Sequence, residues 1–166
     1  MYISEKIFEK NRKKKLNLFC KELMPTTKTQ ILDFGFNAIE YSKVDNYLEK
    51  HYIYPNNITA IIIEESQKFS KKYPQVKALK YDGIIIPFVN RQFDVVWSNA
   101  VLEHVGDYVK QLAFIKELNR VGKTIFMTTP NKYFSIEIHT RIPLLHLLSR
   151  SIFNKLLILF KKNGQV

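Results

Sequence analysis

Apolar positions along the chain recur with two different periods, and segments of the two kinds alternate. Over 4–22, Ile7, Phe8, Leu16, Phe19 and then Leu23 form an interrupted stripe at helical spacing. Ser4 is placed to cap that helix and Pro25 to stop it. Gln30-Ile31-Leu32-Asp33-Phe34-Gly35 is a short apolar run ending on an acid and a glycine, the pattern of a buried parallel strand and a tight turn. Helical spacing returns over 38–51 through Ile39, Val44, Tyr47 and Leu48 before Pro55-Asn56-Asn57 breaks the chain. The pattern then predicts a strand over 58–63, a short helix over 65–73, and strands over 76–81 and 93–98. A helix in one or two pieces is expected over 101–121, and a fifth strand over 124–129, stopped by Pro130-Asn131.

Strands alternating with helices at this spacing mean βαβ units, hence an α/β chain with helices on both faces of a mainly parallel sheet of about five strands. With 166 residues, one core of this kind is the natural content. The chain divides into an N-terminal helix (1–27), an α/β body (28–140) and a C-terminal segment (141–166). In the last, Leu145, Leu148, Ile152, Leu156 and Leu159 fall at three- and four-residue steps with His146, Arg150 and Asn154 opposite. That is a basic amphipathic helix, expected to cover the sheet or site, or else to meet a membrane surface or a second copy. Its apolar runs are too short to span a bilayer.

Charge sharpens this division. The net charge of +11 is carried mostly by the ends: residues 1–15 hold +4 and residues 141–166 hold +5, leaving +2 for the body. A nucleic-acid enzyme would more often spread its basic residues over one face among stacking aromatics, so no nucleic acid is expected as partner. The single cysteine, Cys20, excludes an internal disulfide and is expected to be a buried apolar residue. No Cys/His cluster has metal spacing, and no metal is expected. The first thirty residues lack the apolar core of a signal peptide, so a cytoplasmic, at most membrane-associated, protein is expected.

In a parallel α/β sheet, ligands bind beyond the carboxyl ends of the strands. The chemically distinctive residues fall there: Asp33 and Gly35 after strand one, Glu64 and Glu65 after strand two, Asp82 and Gly83 after strand three, Ser98 and Asn99 after strand four. The run Asp82-Gly83, Pro87-Phe88, Phe93-Asp94-Val95-Val96, Ser98-Asn99 and Val101-Leu102-Glu103-His104-Val105 resembles class I S-adenosylmethionine-dependent methyltransferases of the small-molecule branch. Ile31-Leu32-Asp33-Phe34-Gly35 is similar to that family's first glycine-containing motif, and Thr129-Pro130-Asn131 continues the likeness, which spans about 28–146.

The resemblance implies a three-layer Rossmann-like sandwich, S-adenosylmethionine as cofactor, and a small-molecule acceptor such as a sugar or a lipid-linked compound. It makes Asp33, Gly35, Glu64, Asp82, Gly83, Ser98 and Asn99 the candidate cofactor-binding residues. Gly35 would let backbone approach the ligand, one acid would take the ribose hydroxyls and another the adenine amine. His104 is the candidate catalytic base for a hydroxyl or amine nucleophile; His139 and His146 fall where an acceptor pocket is expected. Glu103 suits a structural or solvated acid as well as a site.

The chain also departs from the pattern. Phe36-Asn37 follow Gly35 where a second glycine is usual, and no pair of strands is discernible after Thr129. A truncated methyltransferase-fold binding module is therefore the alternative. The absence of Gly-x-Gly-x-x-Gly in Gly35-Phe36-Asn37-Ala38-Ile39-Glu40 argues against a nicotinamide enzyme.

Overall fold

The structure is a computed structural model that describes residues 2–129. The expected basic helix over 141–166, with its membrane or dimer contact, and the residues His139 and His146 lie outside the described residues. Elements run α1 (Tyr2–Leu23), β1 (Ile31–Phe34), α2 (Tyr47–His51), β2 (Ile58–Ile62), α3 (Gln67–Lys72), β3 (Lys77–Lys80), β4 (Phe93–Asn99), α4 (Tyr108–Val121) and β5 (Gly122–Thr128). The strands form one sheet in the order β3-β2-β1-β4-β5, and every pairing is parallel.

Alternation along the strands sorts side chains onto two faces. Ile31, Ile58, Ala60, Val95 and Trp97 pack with Leu16 and Phe19 of α1, Leu48 of α2 and Phe69 of α3. Leu32, Phe34, Ile61 and Val96 pack on the other face with Leu118 and Val121 of α4. The result is the expected three-layer arrangement. Phe19 is the anchor of α1: fully buried, it meets Tyr52, Trp97 and Phe126 edge to face. Residues 12, 15, 16 and 19 share that inward helix face at steps of three and four.

Three local expectations need correction. The helix over 38–51 is present only as α2, because side chains hold the preceding loop in another shape. Asp45 Oδ2 accepts from the N–H groups of Tyr41 and Ser42, and left-handed Asn46 (φ 50) exchanges hydrogen bonds with the backbone of Asn37. Cys20 is exposed, since it sits beside Phe19 on the helix but off the buried face. Ser4 lies inside α1, which begins at Tyr2, and so cannot cap it from outside. The helix over 101–121 does come in two pieces, a 3-10 turn at Leu102–His104 and then α4, capped by Asp107 accepting from the N–H of Lys110.

Candidate functional site

The sheet order reverses between β1 and β4, since the chain leaves β1 toward β2 on one side and returns to β4 on the other. Beyond the carboxyl ends of those two strands lies a cleft of about 380 Å³, a size suited to a small ligand. Asp33, Gly35, Glu64, Asn99 and His104 line it, as do Arg12, Asn37, Asn46, Glu49, Ile62, Trp97 and Ala100.

Gly35 follows β1 with φ +90, and a Cβ there would meet Val101 Cγ2 at 2.5 Å. Both the conformation and the contact require glycine. Asp33 points to the α1 face and is almost fully buried beside the equally buried Glu49 of α2. Burial raises the Asp33 carboxyl well above the usual range; the neighbouring Glu49 charge and a hydrogen bond between the two carboxyls add to this, against the pull of Arg12. Burial raises the Glu49 carboxyl as well. Glu49 Oε1, in the cleft wall, is buried without a hydrogen-bond partner among the described residues, an unspent acceptor of the kind that a polar ligand satisfies.

At the other wall, β4 ends in Asn99, whose Oδ1 accepts from Lys15 Nζ at 2.9 Å and from Thr128 Oγ1 at 2.8 Å. The next residue, Ala100, adopts φ 58 with its N–H bonded to Thr128 O. A left-handed alanine is uncommon and costs energy, and here it turns the chain across the cleft. His104 stands in the 3-10 turn that follows, at the cleft wall.

Three of the candidate residues lie elsewhere. Asp82 is exposed, and its Oδ1 accepts from the N–H groups of Ile84 and Ile85, so it closes a turn. Gly83 (φ +82) is the left-handed residue of the same turn. Ser98 is fully buried with an unpartnered Oγ, pointing to the opposite sheet face from Trp97 and Asn99. Glu64 lines the cleft but is exposed, two residues past the end of β2, where Ile62 stands. Glu65 pairs with Lys80 at the surface.

Sequence reading missed Glu49 and Arg12. In the sequence Arg12 reads as one of the basic N-terminal residues, although its spacing to Leu16 and Phe19 puts it on the buried face of α1. Glu49 was hidden in a predicted amphipathic helix, where an acid beside Leu48 looks like a solvated position. Among the described residues no group of three or more His, Cys, Asp or Glu is arranged to hold a metal ion.

A family model described as a methyltransferase domain matches residues 32–124, more than half of the chain. No curated protein matches the chain significantly. Similar solved structures include a SAM-dependent methyltransferase from Aquifex aeolicus, 19% identical with a TM-score of 0.50, covering 82% of this chain and 71% of that one. Another is the PH0226 protein of Pyrococcus horikoshii OT3 (19% identity, TM-score 0.53), covering 72% of this chain and 58% of that one. A third is the methyltransferase domain of bacterial CtHen1 (17% identity, TM-score 0.57), covering 95% of this chain and 86% of that one. At these identities the structures establish the fold. The five-stranded parallel sheet with helices on both faces matches their fold, and the chain belongs to the methyltransferase-domain family, with the class I S-adenosylmethionine-dependent methyltransferase fold.

Proposed function

We propose that the chain binds S-adenosylmethionine in the cleft beyond β1 and β4 and transfers its methyl group to a small-molecule acceptor. The observation that carries this reading is the junction of Asp33, Gly35 and Asn99 in one cleft at the reversal of the strand order, within the residues that the family model matches. The buried, unpartnered acceptor on Glu49 in the cleft wall and the close backbone at Gly35 suit a ligand that carries an ammonium group and is held tightly. Glu64 at the rim is available to ribose hydroxyls. When bound, the cofactor supplies an electrophilic methyl group on a sulfonium.

The chain's own task is then alignment: the cleft walls at Gly35, Trp97 and Val101 would fix the distance and angle between methyl carbon and acceptor. His104 would take the proton from a hydroxyl or amine as it attacks. A sugar or a lipid-linked compound is the acceptor class we favour. No helix among the described residues is long and apolar enough to cross a membrane.

A second reading, a binding module that does not turn over, is favoured by Ile62 at the end of β2, where an acid would suit the ribose. A related fold also serves a [4+2]-cyclase, SpnF, with a TM-score of 0.53, so the fold alone does not define the chemistry.

Thermal unfolding with S-adenosylmethionine, S-adenosylhomocysteine and NAD tests the cofactor. A ligand at a hundred times its Kd adds about 2.7 kcal/mol and raises Tm by several degrees. A rise with the two adenosyl sulfur compounds and none with NAD is expected. A cooperatively folded sample that responds to neither sulfur compound would sink the proposal.

A further inference from the structure

We infer that the outer face of α1 is a docking surface for an anionic lipid membrane, seated there by a row of lysines. The row spans residues 6–21, before the residues that the family model matches, so it is no part of the family likeness.

The helix is anchored through one side only. Leu16 and Phe19 are buried against the sheet, and Arg12 and Lys15 share that inward side. At 3.6 residues per turn the opposite side is then made by Lys6, Lys10, Lys13, Lys14, Asn17 and Lys21, all of them exposed. Glu5, Glu9 and Glu22 fall to the flanks of this row, and no acid stands within it. None of the five lysines makes an ion pair or a hydrogen bond with a described residue. Lys6, Lys10 and Lys14 follow one another at four-residue steps, where like charges repel. Over about 22 Å of helix the row thus holds positive charge that a surface of opposite sign would relieve.

The two helical layers differ in this respect. On the other face of the sheet, α4 exposes Tyr108, Val109 and Leu112 with two lysines, Lys110 and Lys116. In the layer of α1, α3 adds the exposed Lys68 and Lys71. The positive field is one-sided.

The chemistry of the row favours a lipid surface over a nucleic acid. It holds no arginine fork to grip single phosphates and no aromatic ring to stack on bases. Lysines are hydrated point charges on long stems, and four to eight of them on one helix face are attracted by a leaflet of anionic headgroups. A row along one helix is straight and meets a flat surface over its whole length. It carries no apolar side chain to insert, so the attraction is electrostatic and salt should reverse it.

Flotation of the full chain with vesicles of phosphatidylcholine and phosphatidylglycerol, and with phosphatidylcholine alone, is the test. Wild type is expected to float with the anionic vesicles only and to be released at high salt. Each lysine near the surface contributes about fivefold, so Lys6→Gln, Lys10→Gln, Lys14→Gln and Lys21→Gln together should lower partitioning at least about a hundredfold. Removing the same four charges at Lys28, Lys77, Lys110 and Lys116, exposed elsewhere on the surface, should cost no more than about fivefold. The two variants have equal net charge, so the comparison reads position. If the α1 variant melts early, Lys10→Gln with Lys14→Gln carries the test, with a loss of about 25-fold expected.

No binding to the anionic vesicles overturns the inference. So does equal binding to the uncharged ones, an equal loss in the two fourfold variants, or full retention by the α1 variant. A chain that ignores both vesicles and binds a labelled single-stranded RNA through the α1 lysines overturns it in favour of a nucleic-acid partner. No arm depends on the cofactor, so failure here leaves the reading of the cleft as it stands.

Discussion

The loops that follow β1 and β3 begin alike in sequence, each with an acid and a glycine at a strand end, yet they are built for different tasks. After β1, Asp33 is buried, faces another buried carboxyl, and opens onto the cleft. The loop beyond it is tied down by side chains: Glu40 takes Lys50, Lys72 and the Tyr73 hydroxyl, and Asn46 braces Asn37. After β3, Asp82 is exposed and spends its carboxylate on two backbone N–H groups, and Ile84 and Ile85 stand in solvent. The later part of that loop is held instead by Arg120, which donates to the carbonyls of Ile86 and Phe88. A strand-end acid thus faces the cleft where it is buried beside a second carboxyl, and closes a turn where its own loop consumes it.

That distinction explains what was legible in the sequence. The strands and their order of appearance were, because period-two and apolar runs bounded by Pro, Asn and Gly are local signals. Asp33, Gly35, Asn99 and His104 could be named because strand ends converge in a parallel sheet. That Asp82 and Ser98 stand away from the cleft was not legible, because nothing local says which way a strand-end side chain faces or what its loop asks of it. The loop over 38–46 defeated the helix pattern through Asp45 and Asn46, whose side chains compete for the backbone. Arg12 needed the docking of α1, a contact made across the chain to Trp97 and Phe126.

The largest effect that bears on the comparison should come from Phe19→Ala. Removing this ring from beneath α1 is expected to cost about 3–5 kcal/mol in a denaturant melt. If α1 walls only the β1 end of the cleft, S-adenosylhomocysteine binding should fall with it. Methylthioadenosine, which lacks the amino-acid end, should be less affected, provided the chain still folds at low temperature. Retention of full binding to both ligands would show that α1 is not part of the site.

Gly35→Ala comes next, at about 2–4 kcal/mol, from a left-handed backbone and a contact with Val101. Val101→Ala in the same chain relieves the contact and should recover part of the loss, while the strain of the backbone stays. Gly83, the matching position after β3, would place a Cβ 3.3 Å from Ile63 Cγ2. Its alanine variant should lose only the cost of the left-handed backbone, about 1–2 kcal/mol. Equal losses at the two glycines would erase the contrast between the loops.

Glu40→Gln probes how the first loop is tied. Burial disfavours the Glu40 carboxylate, but bonds from Lys72, Tyr73 and Lys50 outweigh it and bring its pKa down to about 2. A depressed carboxyl stabilises the fold above its unfolded value near 4.5, and that contribution is lost as the pH falls toward 2. The variant should be about 1–2 kcal/mol less stable at pH 7, and the gap should close through that acidic window. A gap that is unchanged at pH 2.5 would mean the loop is not held by this charge.

The smallest effects give the sharpest comparison, because one chemical change is made at both strand ends. In Asp82→Asn the side-chain oxygen can still accept from the N–H groups of Ile84 and Ile85, so stability and S-adenosylhomocysteine affinity should move little, within about 0.5 kcal/mol. Asp33→Asn differs in sign as well as size. The Asp33 carboxyl is raised by burial, so the unfolded chain releases its proton near pH 4 while the folded chain holds it. Wild-type stability therefore falls as the pH rises above that point, and the asparagine variant escapes the fall while its amide can still donate to Glu49. Its Tm should match wild type in acid and exceed it increasingly toward neutral pH, at the cost of about tenfold weaker S-adenosylhomocysteine binding. If Asp82→Asn weakened binding as much as Asp33→Asn, the loop after β3 would have to close over the ligand, and its exposed turn would be a resting state of the site.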